Sequence, residues 1–420
     1  MYRFSPSLTE DLNIETLRIA LFNFICAKRA NEKFIVRFED SEKENNFEAK
    51  DREIQEILTF FGITYDQVIY QSENLKFHRL LGSKLLMDGN AFSCFCTDEI
   101  LETKREQSKN DKTAYHYDGT CKKLSNDEVM ANESPFVIRV KNPSKSIKFS
   151  DLIKGEMKFE PENIDDFIIL RVDKTPTYDF ACSVDDMLSN ISVIIRADKY
   201  RSNTPKQELI RQYLGYTEKV EYAHLPVILN NTSVNTLLEE GFLPNAIINY
   251  LILMGNKTPT KIFTLQDAIE WFELKNISKE PMQFDIEKLR ELNREHIKLL
   301  NPLELSKFIG YSSKDIGELA KVFLEEASTI NEIKVKIDAI FAIKTCENFI
   351  DEFKILKKAS KDLPYFKEFD EFKASLADMS GLKERTFLKL LRVLLTGAES
   401  GPSLSEIYPH IKNYLGEIIK

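Results

Sequence analysis

Glycine is absent from the first 61 residues of this chain, and no histidine occurs before His78. Glycine lets a backbone approach bound phosphate closely, so the opening segment lacks that device, and it has no imidazole to donate to an anion. No run of about 18 apolar residues exists, which excludes a transmembrane helix. Met1-Tyr2-Arg3 leads straight into a folded-looking pattern, so no signal peptide is expected. The cysteines (Cys26, Cys94, Cys96, Cys121, Cys182 and Cys346) are unevenly spaced, which argues against a disulfide scaffold and for a reducing cytoplasm. Basic excess is also missing. The net charge of −9 gives no support for non-specific nucleic-acid binding, so any RNA contact must come from local basic faces.

What is present describes an ordinary globular protein. With 420 residues, 43% hydrophobic and 30% charged, the chain should form two to four domains. Leu12, Ile14, Leu17, Ala20, Leu21, Phe24 and Ile25 predict a helix over 12–30. Phe34 to Phe38 reads as a buried strand, and Ile54, Ile57, Leu58 and Phe61 predict a second helix over about 47–61. Such alternation implies a parallel sheet, with ligands beyond the carboxyl ends of its strands. Glu39 and Asp40 stand at such an end, either as site residues or as caps of the next helix. Residues 91–165 hold three of the six cysteines and short β-like runs, at 136–140 and 147–149, and read as an insertion. Strands are expected at 164–171 and 191–196. From about 256 the chain is almost wholly helical, with helical periodicity over 332–358 and 384–395. Trp271 reads as packing in an amphipathic helix.

Several blocks, in order, resemble the glutamyl-tRNA synthetase family of class I synthetases. Arg3-Phe4-Ser5-Pro6-Ser7-Leu8-Thr9-Glu10-Asp11-Leu12-Asn13-Ile14-Glu15-Thr16 is similar to the family's R-F-A-P-S-P-T-G-x-L-H-I-G-G opening, its version of the HIGH signature. Arg37-Phe38-Glu39-Asp40 resembles R-I-E-D. Thr175-Pro176-Thr177-Tyr178-Asp179-Phe180-Ala181 with Asp185-Asp186 resembles T-P-T-Y-N-F-A…D-D. Ile195-Arg196-Ala197-Asp198-Lys199-Tyr200 stands where I-R-G-E-D-H is usual. Ser202 to Gln207 matches S-N-T-P-K-Q, and the blocks at His224–Leu229 and Gly241–Pro244 match H-L-P-x-I-L and G-F-L-P. The likeness is strong over 1–300 and weaker over 301–420.

The resemblance implies a Rossmann-type α/β catalytic domain in two halves (1–90 and 166–255), split by an acceptor-stem-binding insertion (91–165). A helical stem-contact region (256–300) and an all-helical anticodon-binding domain (301–420) follow. It further implies that Arg3 and Arg196 hold the side-chain carboxylate of substrate glutamate, a task suited to bidentate guanidinium groups. Glu39 would face the α-ammonium group, with Ser5, Ser7 and Tyr178 completing the pocket. The alternative is inherited packing, with both arginines paired to Glu39. The family uses ATP, with magnesium, to make glutamyl-adenylate, and this chain departs from it there. Of the HIGH positions Asn13, Ile14, Glu15 and Thr16, only Ile14 is retained. Glu10, Glu15 and Thr16 replace glycines, and Lys199 replaces an acidic residue. The KMSKS loop is absent, since Asn230-Asn231 runs directly into Thr232-Ser233-Val234-Asn235 and no lysine lies between Lys219 and Lys257.

Cys94, Cys96 and Cys121, with Tyr117 four residues before Cys121, resemble the C-x-C…Y-x-x-x-C zinc site of some family members. His116 competes with Tyr117 as fourth ligand, and Lys123 stands where other members have a histidine. The alternative is three unmetallated thiols. Cys26, Cys182 and Cys346 read as core thiols and His224 as structural. Lys354, Lys357, Lys358 and Lys361, and then Lys383, Arg385, Lys389 and Arg392, form two helical basic runs able to track RNA phosphates. The expectation is a cytoplasmic, monomeric synthetase homologue that binds tRNA of glutamate or glutamine type and L-glutamate, with adenylation impaired or lost. An active ligase with a rebuilt ATP site and a non-catalytic partner of a full-length synthetase are the alternatives.

Overall fold

The computed structural model describes residues 1–41, 46–110 and 115–420. They form two compact units. One comprises Met1–Ser233, Leu251–Lys261 and Leu265–Phe284; the other comprises Val234–Tyr250, Ile262–Thr264 and Asp285–Lys420. No described helix is long and apolar enough to cross a membrane.

The strands of the first unit are β1 (Tyr2–Phe4), β2 (Phe34–Phe38), β3 (Gln67–Tyr70), β4 (Ala91–Cys94), β5 (Val137–Val140), β6 (Ile147–Asp151), β7 (Gly155–Phe159), β8 (Ile168–Leu170), β9 (Val193–Ala197), β10 (Glu221–Leu225), β11 (Ile228–Leu229) and β12 (Met282–Gln283). β2 pairs in parallel with β1 and β3. β9, β10 and β6 are likewise parallel, and β7 adds an antiparallel edge to β6. The Ser192 N–H donates to the Met1 carbonyl at 3.1 Å, which brings β1 beside the start of β9. The chain therefore winds outward from β1 in one direction and from β9 in the other. That is a topological switch point, where open α/β sheets place their ligands.

Local sequence explains the elements around this point. α1 (Ile14–Ala30) buries Leu17, Ala20, Leu21 and Phe24 and stops at Asn31, which adopts the left-handed conformation (φ 53°) and donates back to the last turn. β2 is buried at all five positions, as a parallel strand covered on both faces should be. The pairing of the expected insertion differs from a simple split. β6 and β7, inside 91–165, join the main sheet through the Tyr222–Asp151 register. β8, expected with the second half, pairs with β5 beside β4. Runs of three to five apolar residues announce a strand but not its partner, because pairing is a long-range choice.

The second unit is a helical array around one core containing Leu319, Ile333, Ile337, Leu356, Leu391 and Ile407. The periodic run at 332–358 is two helices, Ile330–Phe341 and Ile350–Lys361. The first starts with a reciprocal Thr329–Glu332 capping box. Gly317 is required because a Cβ there would lie 1.7 Å from the Pro302 carbonyl oxygen, so two helices meet backbone to backbone.

A buried carboxylate braces the first unit. Asp186, on the helix Tyr178–Leu188, accepts from Arg3 Nε of β1 at 3.1 Å, from Arg37 Nη1 of β2 at 2.5 Å and from Arg211 Nη2 at 3.5 Å. Burial opposes its ionisation, but Arg3, Arg37 and Arg211 outweigh burial and hold it well below the usual carboxylate range. Its contribution to stability is complete above the unfolded value of about 3.9 and declines as pH falls below it. Asp186→Asn should cost about 3–5 kcal/mol at neutral pH, because three buried guanidinium groups lose their shared counter-charge. Urea unfolding at pH 7 and at about pH 3, below the unfolded value, tests this: the deficit of the variant should shrink at the lower pH.

Candidate functional site

A cavity of about 330 Å³ opens at the carboxyl ends of β1 and β9. Arg3, Ser5, Ser7, Glu39, Tyr178 and Arg196 all line it, so the structure brings the expected substrate set together from four separate segments. Ser7 and Glu39 form a parallel bridge, and the Glu39 N–H donates to the Pro6 carbonyl at 3.2 Å, which extends the β1–β2 pairing to the cavity rim. Burial raises the Glu39 pKa above the ordinary value, against the opposing pull of Arg37 and Arg3. The Cys182 thiol donates to Glu39 Oε1 at 3.5 Å. Ser5 Oγ is buried with no hydrogen-bond partner among the described residues. Such an orphan fits a polar ligand. The Tyr178 ring stacks on Tyr200 at 5.6 Å, and Lys199 Nζ lies 5.1 Å from the Tyr200 centroid.

Neither arginine pairs with Glu39, so inherited pairing to that residue does not describe them. Arg3 is clamped on Asp186. Arg196, only 5% exposed, donates from Nη1 to Gln207 Oε1 (2.9 Å), from Nη2 to Thr204 Oγ1 (2.7 Å) and from Nε to His224 Nε2 (3.1 Å). His224 in turn meets Asp151 Oδ2 through Nδ1 at 2.6 Å. The S-N-T-P-K-Q block thus supplies part of a cage around Arg196, and His224, read from sequence as structural, supplies another part. Nothing in the sequence marked Asp151, because its partner lies 73 residues away. Of the three expected core thiols Cys182 is buried, whereas Cys26 and Cys346 are half-buried, Cys346 packing against the helical core.

The opposite end of the cavity is built around the start of α1. A helix begins with N–H groups that lack intrahelical partners and commonly bind anions. Here each has an acceptor within the chain. Ile14 donates to the Thr232 carbonyl (3.1 Å), Glu15 to Asn231 Oδ1 (3.4 Å) and Thr16 to Asn13 Oδ1 (2.9 Å), and the regular helical bonds begin with Leu17 to the Asn13 carbonyl (2.9 Å). The Glu15 carboxylate also accepts from the Ile228 N–H at 3.2 Å, and Asn13 bridges Ser233. Asn13, Ile14 and Glu15 are therefore tied to the 228–233 segment. Asn230 makes that tight turn in the left-handed conformation (φ 56°), which asparagine tolerates.

A second cluster lies at the end of β4. Cys94, Cys96 and Cys121 present sulfurs within 4.8 Å of one another, with Cys96 and Cys121 3.6 Å apart. Tyr117 Oη lies 3.4 Å from the Cys94 sulfur and 3.5 Å from that of Cys96. Tetrahedral zinc with bonds of about 2.3 Å to sulfur has edges of about 3.8 Å, so this donor set fits the metal. His116 is exposed and outside the cluster. Lys354, Lys358 and Lys361 are exposed on the helix Ile350–Lys361, whereas Lys357 donates to the Lys420 carbonyl. Lys383, Arg385 and Lys389 are exposed, and Arg392 donates to the Pro402 carbonyl. Asn13→Ala, which removes the acceptor for Thr16, should lower stability by about 1 kcal/mol in urea unfolding, the usual cost of a lost N-cap.

Residues 1–291 match the model of the class I tRNA synthetases (E and Q), catalytic domain. Glutamate–tRNA ligase 2 of Sulfurimonas denitrificans is 52% identical over 435 aligned positions, against 420 residues here, covering both chains fully. Glutamate–tRNA ligase 1 of Campylobacter jejuni is 51% identical, again over the whole of both chains. Among solved structures, a glutamate tRNA ligase from Elizabethkingia meningosepticum superposes with a TM-score of 0.83 at 23% identity, covering 99% of this chain and 97% of that one. The chain belongs to the glutamate–tRNA ligase family of class I tRNA synthetases.

Proposed function

We propose that this protein binds tRNA and L-glutamate on the synthetase scaffold but forms glutamyl-adenylate poorly or not at all. The observation that carries the reading is the start of α1. Its first-turn N–H groups are taken up by Asn13, Asn231 and Thr232, and Glu15 adds a carboxylate beside them. A triphosphate would meet no free first-turn donor there and would face negative charge. The 230–233 connection carries no lysine to offset the charge that builds up in adenylyl transfer. Loss of one preorganised donor typically costs about 2.7–4 kcal/mol, or roughly a hundred- to thousand-fold in rate, and several are missing together.

Support for glutamate binding lies in the arrangement of Arg3 and Arg196, two buried guanidinium groups lining one cavity with Glu39 at its rim. The exposed lysines and arginines of the two basic runs are the proposed phosphate contacts of the tRNA. A second reading, a ligase with a rebuilt ATP site, draws on Lys199, which lines the same cavity and supplies a cation that the family pattern lacks at that position.

The deciding measurement is tRNA-dependent ATP–pyrophosphate exchange with glutamate, using total tRNA, alongside tRNA retention on a filter. Retention without exchange is expected. Exchange at an ordinary synthetase rate would sink the proposal and turn attention to Lys199. The double change Asn13→His, Glu15→Gly should leave exchange absent, because it does not restore the lysine loop. We further propose that Cys94, Cys96, Tyr117 and Cys121 hold a zinc ion that stiffens the insertion. Elemental analysis should give about one zinc per chain, and Cys96→Ser or Cys121→Ser should lower it together with the melting temperature. Fully folded protein without zinc, from zinc-replete growth, would rule this out.

A further inference from the structure

Arg196 makes no ion pair among the described residues, although it is almost fully buried. Each of its partners is a neutral acceptor: Thr204 Oγ1, Gln207 Oε1 and His224 Nε2. The arginine Nε can only donate, so His224 Nε2 must carry a lone pair and the imidazole proton must reside on Nδ1, facing Asp151. Burial favours the same neutral form and lowers the His224 pKa, despite the opposing effect of Asp151. Asp151 is itself immobilised. Its Oδ1 accepts from the N–H groups of Ile153 (2.9 Å) and Lys154 (2.7 Å), and its Oδ2 accepts from the His224 N–H (3.1 Å) as well as from the ring. The ring also lies parallel to that of Tyr222, with centroids 5.9 Å apart and planes within 6°.

We propose that Asp151 and His224 form a positioning relay that aligns Arg196 for the side-chain carboxylate of the amino acid and sets the preference for a carboxylate over an amide. The proposal deepens the glutamate-binding reading above and rests on it. A guanidinium has five N–H groups. Three are used by the cage, which leaves one on each terminal nitrogen, the pair that a carboxylate takes bidentately. The parallel register sets Arg196 opposite His224 on neighbouring strands, so the relay is fixed by backbone pairing and acts from behind the arginine. Polarised by Asp151, the imidazole offers partial negative charge at Nε2 without a full counter-ion that would compete with the ligand. A carboxylate in direct contact with Arg196 would fill that role itself and weaken the site.

Calorimetric titration of the full chain with L-glutamate and L-glutamine tests the relay, together with a long-range proton–nitrogen spectrum of the histidine rings. The unmodified protein should show His224 as the neutral Nδ1–H form and should prefer glutamate. His224→Leu should weaken glutamate at least about tenfold per folded molecule, with a smaller loss for glutamine, because a hydrogen-bonded charge is being released from its alignment. His224→Gln, whose side-chain oxygen can accept from Arg196, should recover part of that loss, which a purely structural role would not predict. Where the leucine variant does not fold, Asp151→Asn decides, with the same selective loss expected. Unchanged affinity and selectivity in these variants, or a His224 ring protonated on Nε2, would overturn the relay while leaving glutamate binding standing. Absence of glutamate binding by the unmodified protein would overturn the pocket reading and the relay with it.

Discussion

Three guanidinium groups converge on one carboxylate at the centre of the α/β unit, and the rest of the site depends on that convergence. Asp186 joins β1, β2 and the helices carrying Asp186 and Arg211. Buried charges are tolerated only when paired and hydrogen-bonded, so the sheet and its covering helices can close in one arrangement. That arrangement sets Arg3 at the carboxyl end of β1, with its fork held from one side. The neighbouring Asp185 accepts from His78, Gln71 and Asn74 and lies 4.0 Å from Arg37 Nε. The two adjacent acidic residues thus share Arg37, and together they pin the helix that begins at Tyr178.

The two arginines facing the cavity are held by opposite strategies. Arg3 is anchored by a full counter-charge, whereas Arg196 rests in a cage of neutral acceptors whose negative charge lies one imidazole further away. The first is electrostatically satisfied without a ligand. The second keeps much of its attraction for an anion. This asymmetry leaves one of the two buried arginines lining the cavity without a directly bonded counter-charge among the described residues.

At the other end of the cavity, the chain itself closes the head of α1. Asn13 caps Thr16, and the 228–233 segment accepts from the N–H groups of Ile14 and Glu15. The Glu15 side chain, too bulky for a phosphate cradle, has become a hydrogen-bond acceptor for Ile228. The side chains at positions 13 and 15 and the 228–233 segment therefore satisfy one another's hydrogen bonds.

Much of this was legible in the chain itself. Periodicity located α1, β2 and the helical character beyond 256, because amphipathic spacing is a local consequence of burial. Ordered blocks of sequence located the two arginines that line the cavity and the cysteine cluster. Partnership was not legible. Arg3 and Asp186 are 183 residues apart, and Asp151 reaches His224 from a strand expected to belong to the insertion. Short apolar strands reveal that they pair but not with which neighbour, and a buried polar residue names its chemistry but not its partner. Residue types and local elements were determined by the sequence alone. Which carboxylate holds which arginine, and which segment closes the head of α1, were decided only when the sheets assembled, because those contacts exist only after distant strands are brought into register.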